Sequence, residues 1–122
     1  MANDPLTPQK VEAAIMFYIN QITGLVAEYA EAADAKAITD TEFKLAWAKA
    51  RRDHRDIAAI EGWKVTESIL DDNATIITYD ALKARLVAIG KEESVKLAAR
   101  AAQSKLDGAR SLGSNITRAL AQ

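Results

Sequence analysis

The chain is 122 residues long, enough for one domain with one modest core. Hydrophobic residues make up 49% of it, but alanine dominates that share and aromatics are only 6%, which argues against a thick aromatic core and for helices packed through small residues. It has no cysteine, which excludes disulfides, thiolate metal sites and cysteine nucleophiles, and its net charge of −1 conceals a polarity. Residues 1–46 carry −4, residues 47–81 carry −2 and residues 82–122 carry +5. Either an acidic N-terminal helix lies beside a basic C-terminal one, or the basic end meets an anionic partner.

Residues 1–7 are polar at the start and expected to be flexible. Met1 to Pro5 lacks the basic and apolar regions of a secretory signal, and no apolar run reaches the roughly 20 residues needed to span a bilayer. A soluble, cytoplasmic protein with no membrane partner is expected. Thr7 followed by Pro8 marks a helix start, because a threonine hydroxyl can cap the first amides and proline loses nothing at the first helical position. The apolar face of that helix is Val11, Ile15, Tyr18, Ile22, Leu25, Tyr29 and Ala32, with Phe17, Ile19 and Val26 widening it.

Further on, Thr39 and Glu42 have capping-box spacing, which would end one helix and begin another. No Gly or Pro supports a stop there, and the apolar phase resumes at Phe43, Ala46, Trp47 and Ala50. One long helix from Pro8 to about Arg55, closing near Gly62, is the favoured reading, with a kink at Thr39 as the alternative. Thr66 can cap a shorter helix carrying Ile69, Leu70 and Ala74. The β-branched run Thr75 to Thr78 weakens helix propensity, but a lone strand would have no partner.

The last helix is expected from Asp80 through Leu82, Leu86 and Ile89, continuing past Gly90, which costs about 1 kcal/mol in a helix interior. Beyond it Val95, Ala99, Ala102, Leu106, Ala109, Gly113, Ile116 and Leu120 recur at steps of four and three, the seam of a close helix-on-helix contact. The stripe shifts phase between Ile89 and Val95. The first half is therefore expected to pack on the short helix or a second subunit, and the second half on the N-terminal helix.

The stretches Glu42-Phe43-Lys44-Leu45-Ala46-Trp47-Ala48-Lys49-Ala50, Gly62-Trp63-Lys64-Val65-Thr66 and Leu106-Asp107-Gly108-Ala109-Arg110-Ser111-Leu112-Gly113-Ser114-Asn115-Ile116 resemble small all-helical proteins encoded by tailed bacteriophages and prophages. The likeness covers roughly residues 40–120 and lies in helix-packing patterns. The resemblance implies a long helix, a turn and a closing helix, a setting near phage early or recombination functions, and no catalytic residues to carry over.

Among candidate sites, His54 is the lone histidine and sits in a charged run without a visible catalytic partner. Asp71 with Asp72 and Glu92 with Glu93 are adjacent on helices, so neither pair converges on one ion. The turn at Gly62 lacks the first glycine and the Gly-Lys-Ser/Thr run of a phosphate loop. Lys49, Arg51, Arg52 and Arg55, flanked by Trp47 and Trp63, have the residue types of a nucleic-acid contact, diluted by Asp53 and Asp56. Their plainer use is a solvated helix end, with the tryptophans as core or interface anchors. Lys96, Arg100, Arg110 and Arg118 form a second basic strip, whose simplest partners are Glu12, Glu28, Glu31 and Asp34.

The sequence thus predicts an all-α fold over residues 8–122 as one domain: a long antiparallel helical hairpin or bundle with a short third helix at the turn, completed by self-association, most simply as a dimer. It predicts no enzyme, cofactor or metal. Three functions remain open: a phage accessory protein acting by protein–protein contact on a replication or recombination machine or a host factor, a nucleic-acid-binding helper, and a virion or scaffold component.

Overall fold

The computed structural model describes residues 6–121; the expected flexible segment lies outside them as far as residue 5, and Thr7 already belongs to a helix cap. The described residues form three α-helices and no strand: α1 Pro8–Glu61, α2 Glu67–Ile77 and α3 Tyr79–Ala121. The start of α1 is set by Thr7, whose Oγ1 accepts a hydrogen bond from the Lys10 amide at 3.2 Å.

α1 continues through Thr39. The Thr39 hydroxyl donates back to the carbonyls of Ala35 (2.9 Å) and Lys36 (3.1 Å), the habit of a threonine inside a helix, whereas a cap would accept from an amide ahead of it. The stop comes at Gly62, with φ +74°, where the Trp63 amide donates to the Ala58 carbonyl at 2.8 Å. This six-to-one bond is the Schellman closure, and the left-handed backbone it needs is open to glycine at little cost.

Thr66 caps α2 by accepting from the Ile69 amide at 3.2 Å. The β-branched run ends α2 after Ile77, and the break before α3 is a single residue. Thr78 is buried, and both its amide and its hydroxyl donate to the Ala74 carbonyl, at 2.9 and 2.6 Å. The Leu82 amide in turn donates to the Thr78 carbonyl at 2.9 Å.

The packing groups into two compact units: Met1–Ala30 with Glu93–Gln122, and Glu31–Glu92. In the first, α1 and α3 run antiparallel along the predicted seam. Val11 faces Gly113, where an added Cβ would lie 3.2 Å from Val11 Cγ1, and farther along Ile22 and Leu25 share a groove with Lys96 and Ala99. Val11, Val95, Ala102 and Leu106 are buried; Ile15, Tyr18, Ile22, Leu25, Ala99, Ala109, Gly113 and Ile116 are half-buried.

Two seam residues depart from expectation. Leu120 is 73% exposed, because the register that sets Gly113 opposite Val11 carries Leu120 beyond the first turn of α1. Tyr29 is 38% exposed, since it lies along the groove with Ala99, which is too small to cover a phenol ring. The second basic strip also differs: among the described residues Lys96, Arg100, Arg110 and Arg118 make no ion pair with Glu12, Glu28, Glu31 or Asp34.

In the second unit, α1 and α3 are again antiparallel, tied by Lys36 to Glu92 at 3.3 Å and by Asp40 to Arg85 at 2.8 Å. The first half of α3 therefore packs on α1 as well. The phase shift near Gly90 coincides with the boundary between units at Glu92 and Glu93. Among the described residues no helix is long and apolar enough to cross a membrane.

Two outcomes follow for stability. Gly90 lies in the interior of α3, and an added Cβ there meets nothing within 4 Å, so Gly90→Ala should stabilise by about 0.5–1 kcal/mol in denaturant titration. Leu106 is 4% exposed, so Leu106→Asp, which places a charge in the dry seam, should abolish cooperative thermal unfolding or lower its midpoint sharply.

Candidate interaction surface

The four cations singled out by sequence all carry carboxylate partners. Arg51 forks onto Glu67 and Asp71, joining α1 to α2, and Arg55 reaches Glu67 at 3.5 Å. Lys49 lies 3.1 Å from Asp53, and Arg52 4.0 Å from the same group. Phosphate binding would have to displace these partners. The cluster brought together here is an ion-pair network that fixes α2 against α1.

Asp71 is exposed and partners Arg51; Glu92 is half-buried on Lys36, while Asp72 and Glu93 are exposed. Trp63 is exposed, so it is no core anchor. It follows directly on the Gly62 turn, and its ring lies 6.5 Å from that of His54.

His54 is half-buried and lines an open cleft of about 560 Å³ with Asp53, Ile57, Asn73, Ile77 and Asp80. The Asn73 amide nitrogen is buried there without a partner. The cleft holds a lone imidazole and two carboxylates of which one, Asp53, is already paired with Lys49. Among the described residues no group of three or more His, Asp or Glu side chains is placed to hold a metal ion.

A different feature of the same unit is aromatic. Phe43 and Trp47 lie on successive turns of α1 with ring centroids 5.9 Å apart. The Arg85 guanidinium sits over the Phe43 ring, 5.2 Å from its centroid, with Asp40 Oδ1 2.8 Å from its Nε. Asp40 also pairs with Lys44 at 2.9 Å. On α3, Leu82 and Ile89 lie three residues before and four after Arg85, so they share its side of the helix.

Arg85 therefore links the Phe43–Trp47 ridge of α1 to α3. The Asp40–Arg85 tie between them carried no sequence signal, since its members lie far apart in the chain. Exposed apolar side chains continue around the unit at Ile38, Leu45, Ile69, Ile76, Tyr79 and Val87.

Hydrogen bonding and charge from Lys44, with Arg85 beside it, hold the Asp40 carboxyl below its ordinary value of 3.8. A depressed carboxyl stabilises the fold fully above its unfolded value and loses that contribution as pH falls through the lowered one. Acid unfolding below about pH 4 should therefore be less steep in Asp40→Asn than in the native chain. At neutral pH, Arg51→Met should cost only about 0.5–1 kcal/mol in denaturant titration, because Glu67 and Asp71 are exposed and water replaces the lost partner. Comparison with protein-family models, with curated proteins and with solved structures finds no match to this chain.

Proposed function

We propose that this chain is a non-enzymatic accessory protein that works by protein–protein contact, on a replication or recombination machine or on a factor of the host cell, in the host cytoplasm. The phage-type helical patterns support this setting. The observation that carries the reading is the apolar surface: the unit Glu31–Glu92 leaves twelve large hydrophobic side chains exposed, among them Ile69 and Ile76, two turns apart on one side of α2, with Ile76 76% exposed. A contiguous apolar patch on a folded protein marks an interaction site, and Ile69 with Ile76 on one side of α2 is the candidate for one. A nucleic-acid role is less well supported, because Lys49, Arg51, Arg52 and Arg55 all lie against carboxylates, Asp53 shared by Lys49 and Arg52 and Glu67 shared by Arg51 and Arg55.

Capture from a lysate of the bacterial host, with the tagged chain as bait, tests this reading. The expected result is a defined protein retained through a high-salt wash and lost with Ile69→Lys/Ile76→Lys bait. Gel shifts with single- and double-stranded DNA should show no salt-sensitive binding at low micromolar protein. A shift that weakens with salt and vanishes in Arg52→Ala/Arg55→Ala would replace the proposal with a nucleic-acid helper. Large assemblies in sedimentation would replace it with a scaffold.

A further inference from the structure

The unit formed by Met1–Ala30 and Glu93–Gln122 carries two open grooves between α1 and α3. One is lined on α3 by Lys96, Ala99, Arg100 and Gln103, and the lining of the other includes Ser114, Thr117, Arg118 and Ala121. Each of the second four stands eighteen positions after its counterpart in the first, and eighteen residues are five full helical turns. Both sets therefore face the same side of α3. On α1 the repeat recurs: Pro8 and Val11 in the second groove stand eighteen positions before Val26 and Tyr29 in the first. The grooves are successive stretches of one channel, about 27 Å apart along the helices.

This channel has an apolar wall and a cationic one. α1 supplies Ile22, Leu25, Val26 and Tyr29 to the first groove, with Val26 60% exposed, and Val11 with Ile15 to the second. α3 supplies Lys96 and Arg100 to the first and Arg110 and Arg118 to the second. Among the described residues none of these four cations has an ion pair. Glu12 is the one carboxylate in either lining and pairs with neither arginine beside it, while Asp107 accepts a hydrogen bond from Gln103 at 3.0 Å. Lys96 and Arg100, one turn apart, also repel each other. The cations from Lys49 to Arg55 differ in lying against carboxylates of the chain itself.

We propose that this channel seats an acidic amphipathic helix of another protein, its apolar stripe on the α1 wall and its carboxylates turned to Lys96, Arg100, Arg110 and Arg118. Charge complementarity selects an anionic occupant, because the channel holds four cations that the fold leaves unanswered. The apolar wall selects a helix: a nucleic-acid backbone would set its phosphates against Ile22, Leu25 and Val26 as well. A helix with apolar residues at steps of three and four and glutamates on the flank meets both walls with one repeat. About 20 residues span the two grooves.

This inference deepens the reading of the chain as an interaction protein and rests on it, but it concerns a different unit from Ile69 and Ile76. The test is fluorescence anisotropy with a labelled synthetic peptide of about 20 residues, leucines at steps of three and four and glutamates on both flanks, beside the same peptide with lysine for every glutamate. The acidic peptide should bind the full chain with a micromolar Kd and the basic one should not. Arg100→Glu/Arg118→Glu, at two exposed positions, should weaken binding roughly tenfold or more, and Val26→Ser roughly fivefold. Arg52→Glu/Lys64→Glu makes the same change of net charge in the other unit and should leave Kd within about twofold. The Ile69→Lys/Ile76→Lys chain should bind the peptide as the native chain does, so loss of a host partner and loss of this site are separate failures.

No binding of the acidic peptide, equal binding of the basic one, or equal weakening in Arg52→Glu/Lys64→Glu would overturn the proposal. So would an oligonucleotide or phosphatidylglycerol vesicles that bind more tightly than the peptide and are lost with Arg100→Glu/Arg118→Glu, since phosphate would then be the occupant. Should that variant lose helicity, Lys96→Gln/Arg100→Gln carries the same comparison.

Discussion

The constraint on which the structure depends is the size of the side chains in its seams. Among the described residues six of the ten buried apolar ones are alanine, and of the larger ones there Leu70 alone is almost fully enclosed. Alanine lets helix axes approach closely and favours the helical backbone, but each buried methyl removes little surface from water. A helix pair closed by such a seam is narrow. The larger apolar side chains are left on its flanks, exposed to solvent.

The polar groups fit the same pattern. Helix ends are closed locally, by Thr7, by Gly62 with the Trp63-to-Ala58 bond, by Thr66 and by the buried Thr78, so the long helices need no help from distant residues to satisfy their termini. The charges are spent on ties between helices: Lys36 to Glu92, Asp40 to Arg85, and the Arg51 fork to α2. Ties at exposed positions add little stability individually. They do fix register, and that register sets Arg85 over the Phe43 ring. What the chain offers outward from this scaffold is apolar area.

The helices and their boundaries were legible in the residues themselves. Thr7-Pro8, Gly62 and Thr66 act through bonds to backbone within a few positions, and the four-and-three spacing along Val95 to Ile116 specifies a face whatever lies opposite. The seam was legible for the same reason, save at Tyr29 and Leu120, whose exposure depends on what stands across from them. The basic cluster at Lys49 to Arg55 read as a candidate contact because its neutralising partners, Glu67 and Asp71, arrive from another helix.

The sequence by itself therefore determined an all-helical chain, the positions of its caps and the apolar phase of each helix, because these follow from interactions between near neighbours. Tertiary structure alone decided which phases are covered and which remain open. Coverage depends on register between helices, and register is set by pairs such as Asp40 and Arg85 that meet only when the chain has folded back on itself.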